Sequence, residues 1–310
     1  MAASGFRWFF PFVFASLIGS TATAGPFEFE RTILITGSTD GIGRETARQL
    51  AADPENYIIL HGRNFSRCEN ASRWLLDKVP SARFSCVVAE FEQLYQIPIM
   101  AQYVAQAFPR LNVVLLNAGI IPYRVSYTRF GLELMFQVNH MANFVLMHYL
   151  SKTLIKNAPA RVVVTSSLAQ NTDFVPVDSV WDDFYANISI GSYELTFGVP
   201  KRLVDIYSRT KLYNVMFADE WADRLKSYDI TVNSLYPGYI QTKLSRWLGA
   251  PVETVRTPAY LATAEEVKDV TGQWFDEIQK IGVKNPLALV KANRQKLWQF
   301  SQDLFDRFHL

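Results

Sequence analysis

The sequence predicts an α/β protein: one doubly wound domain whose mainly parallel sheet of about seven strands is flanked by helices. Three observations lead there. Apolar runs rich in β-branched residues recur, the first four at nearly even spacing: TILIT (32–36), YIILH (57–61), FSCVVA (84–89) and NVVLL (112–116), followed by RVVVTS (161–166) and ITVNSLY (230–236). Helix-like patterns fill the gaps between them, the alternation of βαβ units. The runs are apolar throughout rather than every second residue, as in strands covered on both faces. No linker, low-complexity tract or repeat divides residues 30–310.

The first run leads into TGSTDGIG (36–43), with glycines at 37, 41 and 43, and then into the helix-like RETARQLAA (44–52). At a strand-to-helix turn of the Rossmann type, glycines remove side chains that would block a pyrophosphate. The following helix aims its free N–H groups at the anion. A tight structural turn is the competing reading, and the position after the first strand argues against it. The second run ends in HGRN, with Arg63 twenty positions beyond Gly43 and no acid in reach by sequence. An acid there would bind the 2′-hydroxyl of NAD, whereas an arginine accommodates the 2′-phosphate of NADP. NADP(H) is therefore favoured over NAD; Arg44 can add charge, and an ordinary surface arginine is the alternative for Arg63.

The fourth run ends in NAGI (117–120), where Asn117 and Gly119 can line a cofactor. Asn139, in MFQVNH within a long apolar helix, is either a buried structural hydrogen-bonder or part of a proton path. The fifth run closes with Ser166 and Ser167 at the end of the sheet where ligands bind, and strand alternation points only one of them at the site. A hydroxyl there can donate to a reacting oxygen. Tyr and Lys four apart on a helix share a face, and two pairs qualify, Tyr207/Lys211 and Tyr239/Lys243. The first opens an amphipathic pattern through Leu212, Val215, Met216 and Leu225, whereas the second follows the turn Pro237-Gly238. Tyr207 and Lys211 are the candidates. The Lys211 ammonium, with the nicotinamide's charge, is expected to draw the phenol down from its usual value of about 10 toward neutrality. Tyr207 then exchanges a proton with a carbonyl or alcohol as hydride moves.

Residues 168–206 read as a long loop and 237–310 as a tail with Trp274, Phe275, Trp298, Phe300 and Phe305, the two together forming the substrate side. Overall the chain is 49% hydrophobic and 19% charged with a net charge of +2, which excludes disorder and gives no footprint for nucleic acid. Cys68 and Cys86 are the only cysteines; they offer no disulfide framework, and Cys86 reads as a small buried side chain. The four histidines lack metal-ligand spacing, so no metal site is expected. Residues 1–24 carry an apolar run (8–19) and then Ala22-x-Ala24, which fits a cleaved signal, a membrane anchor or a helix on the domain's own surface. Sequons stand at Asn64, Asn70 and Asn187 and are usable only in a secretory lumen.

Taken in order, TGSTDGIG, NAGI, Asn139, VTSS, YSRTK and YPGYIQT resemble the short-chain dehydrogenase/reductase family, in its GxxxGxG subgroup, over residues 31 to 245. The resemblance implies a tetrad of Asn139, Ser167, Tyr207 and Lys211, with Lys211 also on the nicotinamide ribose. It implies cofactor contacts from Gly37, Ser38, Thr39, Gly41, Ile42, Gly43, Asn117 and Gly119, and from Pro237, Gly238 and Thr242. Within the family the chain is most similar to retinol dehydrogenase-like, membrane-associated carbonyl reductases. Two departures stand out: AEFE ends the third strand where the family has aspartate, so adenine contact falls to Glu90, and forty positions separate Ser167 from Tyr207. The expected activity is alcohol–carbonyl interconversion on a lipophilic small molecule, at the endoplasmic reticulum membrane or, alternatively, as a secreted protein. A homodimer stays open. A catalytically idle dinucleotide-binding relative would have lost the tetrad, which this chain keeps.

Overall fold

The computed structural model describes residues 29–171, 195–196, 199–241 and 251–310. Strands and helices alternate as β1 (Arg31–Ile35), α1 (Gly41–Ala51), β2 (Asn56–Gly62), α2 (Phe65–Lys78), β3 (Phe84–Val88), α3 (Gln96–Ala107) and β4 (Leu111–Leu116). A short helical turn, α4 (Leu134–Phe136), passes through a π-helical turn (Gln137–Met141) into α5 (Ala142–Lys156) and then β5 (Ala160–Thr165). A small antiparallel hairpin, β6 (Leu195–Thr196) and β7 (Val199–Pro200), leads directly into the long helix α6 (Lys201–Leu225) and β8 (Ile230–Leu235). The chain continues with α7 (Thr257–Thr263), β9 (Trp274–Phe275), α8 (Pro286–Leu289) and α9 (Lys291–Arg307).

Seven strands form one sheet in the order β3-β2-β1-β4-β5-β8-β9, and every pairing in it is parallel. The two-residue β9 pairs with the end of β8 and supplies the strand that no apolar run announced. Period-two alternation splits the strand side chains between two cores. Ile33, Ile35, Ile58, Leu60, Val113 and Leu115 pack with α1, α2 and α7. Leu34, Ile59, Val114, Leu116, Val162 and Val164 pack with α3, α5 and α6 on the other face. Helices on both sides explain why the strands carry apolar residues throughout. The winding reverses between β1 and β4, and the crevice beyond their carboxyl ends is where open α/β sheets bind ligands.

The C-terminal aromatics are divided. Trp274 and Phe275 lie buried in β9, while Trp298 packs edge-on against Phe144 of α5 and Trp221 of α6, at centroid distances of 5.0 and 5.1 Å. Residues 1–28, and most of the 168–206 loop, lie outside the described residues, as do Asn187 and Thr242. Among the described residues no helix is long and apolar enough to cross a membrane.

One expectation is overturned. Cys68 and Cys86 are joined in a disulfide, with Cα atoms 5.8 Å apart. Sequence gave no sign of it, because the partners sit on different elements and meet only once α2 lies across β3. Both are buried, at 3% and 2% exposure. The bond closes a loop with a sequence separation of 18, for which chain entropy gives about 3 kcal/mol. A Cys68→Ser/Cys86→Ala double variant is expected to lose about that much in urea unfolding, and an unchanged midpoint would show the cross-link to be energetically idle.

Candidate functional site

The crevice is built around a buried hydroxyl. Thr36, just past β1, has an Oγ1 that donates to the Leu115 carbonyl (3.3 Å) and accepts from the N–H groups of Asn117 (2.9 Å) and Ala118 (3.0 Å). The Asn117 amide donates in return to the Thr36 carbonyl at 2.9 Å. The glycine turn and the NAGI segment are thereby one unit. Their approach is close: a Cβ on Gly37 would stand 2.8 Å from the Ala118 Cα, and one on Gly43 would stand 2.4 Å from the Asn117 Nδ2. Gly37 (φ 65°) and Gly41 (φ 52°) occupy the left-handed region, which glycine enters without penalty. The turn ends at α1, whose first N–H, from Gly41, donates to the Asp40 carboxylate at 2.9 Å.

His61, read in sequence only as a histidine without metal-ligand spacing, holds this turn. Its Nδ1 accepts from the Gly37 N–H (3.0 Å), and its backbone N–H donates to the Ser38 Oγ (2.9 Å). A backbone N–H can only donate, so Nδ1 is the bare nitrogen and the proton sits on Nε2. Nε2 then donates to the Ala89 carbonyl at 3.0 Å, beyond β3. The ring stacks on Phe91 at 4.5 Å, and burial pulls its pKa down to about 4, so it stays neutral. Ser38 is fully buried and committed to β2, so its side chain supports the turn from behind. Thr39 packs its methyl where a side chain on Gly62 would lie, and Ile42 is half-buried in the first turn of α1.

Beyond β2, Arg63 is exposed, and its positive charge acts on Glu90 at the tip of β3. Burial raises the Glu90 carboxyl above its ordinary value despite that neighbour. Arg44 instead lies flat over Trp74 of α2, 4.3 Å from the ring centroid. Arg63 and Glu90, past the ends of β2 and β3, thus lie within electrostatic reach of each other.

On the other side of the switch point, α6 brings Tyr207 and Lys211 beneath the end of β5. The Ser167 hydroxyl lies close enough to the Tyr207 phenol to act on its proton affinity, drawing it down. Ser166 turns inward and donates to the Lys211 carbonyl at 2.7 Å, so alternation selects Ser167. The Lys211 ammonium donates to the Thr165 carbonyl at 3.2 Å. Asn139 accepts the Ile120 N–H (2.8 Å) and donates to the Ile120 carbonyl and the Thr210 hydroxyl, both at 3.1 Å. It does so from the π-helical turn, a form concentrated at functional sites. A Cβ on Gly119 would stand 3.4 Å from the Asn139 Oδ1 and 3.6 Å from the Lys211 Nζ, so this glycine keeps the space between them clear. Tyr239 is 56% exposed at the Pro237-Gly238 turn, where Gly238 adopts φ 100°; Lys243 is outside the described residues.

The electrostatics run against one expectation. Burial pushes the Tyr207 phenol up to about 12, with the Ser167 hydroxyl only partly opposing it, and burial pulls Lys211 down to about 8. The ammonium sits 5.4 Å from the centroid of the tyrosine ring, a cation–π placement rather than a contact with the hydroxyl. Desolvation therefore outweighs the lysine's field in the protein alone.

If His61 sets the turn, His61→Phe should orphan the Gly37 N–H at a cost of about 1–3 kcal/mol and weaken NADPH binding in a fluorescence titration. His61→Asn, whose Oδ1 can take the place of Nδ1, should restore much of the binding. Equal loss in both variants would reduce His61 to a packing residue.

Comparisons with known proteins follow this geometry. The family model described as short chain dehydrogenase matches residues 31–177. Retinol dehydrogenase 14 of Homo sapiens is 31% identical over 304 residues, covering 88% of this chain and 85% of that protein. Retinol dehydrogenase 13 of Homo sapiens is 29% identical at 88% and 84% coverage. Among solved structures, an uncharacterised protein from Mycobacterium paratuberculosis superposes with a TM-score of 0.70 at 22% identity, covering 90% of this chain and 94% of that one. A provisional NAD(P)-dependent gluconate 5-dehydrogenase from Beutenbergia cavernae, with NADP bound at low occupancy, gives 0.61 at 22% identity, covering 82% and 97%. Sheet order, glycine turn and the Ser167–Tyr207 contact agree with these likenesses, and the chain belongs to the short-chain dehydrogenase/reductase family of oxidoreductases, with retinol dehydrogenase-like similarity.

Proposed function

We propose that this protein is an NADP(H)-dependent oxidoreductase that interconverts an alcohol and a ketone or aldehyde on a lipophilic small molecule. The observation that carries the reading is the convergence of Ser167, Tyr207 and Lys211 at the end of β5, with the Lys211 ammonium 5.4 Å from the Tyr207 ring centroid and the glycine turn across the crevice. The residues present fit a dinucleotide. The glycine turn opens onto the N-terminus of α1, and Gly119 leaves room between Asn139 and Lys211 that a side chain would fill. Thr165 accepts one of the three N–H bonds of the Lys211 ammonium, which leaves donors for ribose hydroxyls.

A bound nicotinamide supplies or accepts the hydride. The protein's own residues handle the oxygen: Ser167 donates to it, and Tyr207 gives it a proton in reduction or takes one in oxidation. A phenol held at about 12 is a reluctant base. Lys211, together with a cationic nicotinamide, favours the phenolate for the oxidative direction, because opposite charge stabilises the ionised form. Asn139, its carboxamide spanning Ile120 and Thr210, fixes the floor of this pocket.

Arg63 supports NADP over NAD, since no other charged group beyond β2 is so placed by sequence spacing. The retinol dehydrogenases among the relatives support a lipophilic substrate. So do exposed apolar residues near the mouth, Leu168 at 44% and Tyr239 at 56%. Placement at the endoplasmic reticulum membrane, through residues 1–24, completes the reading.

Turnover of NADPH with retinoid, steroid or aliphatic carbonyls tests the reading, and silence across all three classes ends it. Tyr207→Phe should lower kcat by about 10²- to 10⁴-fold with NADPH affinity retained; a fully active variant would remove Tyr207 from the mechanism. Arg63→Ala should weaken NADPH binding roughly 10- to 100-fold while leaving NADH nearly unchanged. Equal effects on both cofactors would deny Arg63 a role in choosing between them.

A further inference from the structure

Three features of one edge of the molecule, none needed for hydride transfer, bear on a single question. The Cys68–Cys86 disulfide is buried between α2 and β3. Disulfides form and persist in oxidising compartments and are rare where cytosolic thiol systems keep cysteines reduced. Two of the three sequons, at Asn64 and Asn70, lie on the same helix as Cys68, and both asparagines are exposed. The third sequon, at Asn187, lies outside the described residues.

The two exposed asparagines are not equivalent. Asn64 is the N-cap of α2: its Oδ1 accepts the Arg67 N–H at 3.0 Å, and it immediately follows Arg63. A glycan there would crowd the end of the crevice assigned to the adenosine. Asn70 stands six positions further along, about 9 Å down the helix axis, on the outward face. Among the described residues its side chain makes one long contact, from the Arg73 Nη2 to its Oδ1 at 3.4 Å, which leaves the amide nitrogen uninvolved. The helix packs on β2 and β3, at the sheet edge opposite β8 and β9. A bulky group on Asn70 therefore clears both the glycine turn and the Ser167–Tyr207 mouth.

We propose that Asn70 carries an N-linked glycan and that this domain folds in the oxidising lumen of the secretory pathway. The chemistry balances with co-reactants of that compartment. The Asn70 Nδ2 attacks the anomeric carbon of an oligosaccharide held on a lipid-linked diphosphate. A C–N bond forms, the anomeric C–O bond breaks, the amide gives up one proton, and the lipid diphosphate leaves with the electron pair. Cys68 and Cys86 together lose two protons and two electrons to a disulfide-bearing oxidant, which is reduced to its dithiol. The preference for Asn70 over Asn64 rests on the cofactor reading; the lumenal folding and the disulfide do not, because neither step involves the crevice.

The test uses the full-length chain made in a eukaryotic cell that performs N-glycosylation. In a chain carrying Asn187→Gln, which removes the third sequon, endoglycosidase treatment is expected to remove one gel-mobility step. That step should be absent in Asn70→Gln and equally absent in Ser72→Ala, which breaks the sequon while leaving the asparagine in place. Asn64→Gln should keep it. Non-reducing peptide mapping of the same material should recover the Cys68 and Cys86 peptides linked. An Asn187→Gln chain with no glycosidase-sensitive step, a step that survives Asn70→Gln, or free Cys68 and Cys86 thiols in the native protein would overturn the proposal, whatever the oxidoreductase assays show.

Discussion

One buried oxygen, the Thr36 hydroxyl, ties together the two halves of the crevice. Strand order places β4 beside β1 although the chain visits β2 and β3 between them, so the two switch-point strands have no short connection to fix their ends. Thr36 supplies that fixation by bonding both the Leu115 carbonyl and the N–H groups of Asn117 and Ala118. Without it the half-buried N–H groups of Asn117 and Ala118 would lose a partner, while the Leu115 carbonyl would keep the Thr36 N–H. The close passage of Gly37 by Ala118, and of Gly43 by Asn117, depends on the same fixation. The hydrogen bonds of Lys211 and Asn139 lie just beyond this frame.

The sequence disclosed the parts of the site that are local. A glycine turn, a Tyr-Lys pair at helical spacing and a serine ending an apolar strand are readable because their geometry is set within a few residues. The family likeness and the parallel sheet were legible for the same reason. Features created by distant contact were not. His61 acquires its role only when Gly37 and Ala89 arrive at its two nitrogens from other strands. Cys68 and Cys86 look like two ordinary buried residues until α2 crosses β3. The two-residue β9 is too short to show a pattern, and its place is set by pairing with Ser234 and Leu235.

Tyr207 and Lys211 show why residue type and spacing do not fix a proton affinity. Both shifts are dominated by the same cause, loss of water, acting in opposite senses on an acid and a base. Each group is pushed toward its neutral form, so the pair in the protein alone holds less charge than its composition implies. A binding event that brings positive charge alters the phenol and the amine together, since one ring and one ammonium share the same enclosed space.

The π-helical turn at Gln137–Met141 has a consequence for how this segment tolerates change in length. Such a turn is a helix carrying one residue more than its hydrogen-bond ladder requires. Deleting a residue on its α5 side would let the ladder close as an ordinary α-helix and would favour local folding. The same deletion would re-aim the residues within the turn itself, carrying the Asn139 carboxamide away from Ile120. The segment is thus a register set one notch from its own preference. Insertions and deletions here separate foldability from function more cleanly than any substitution nearby.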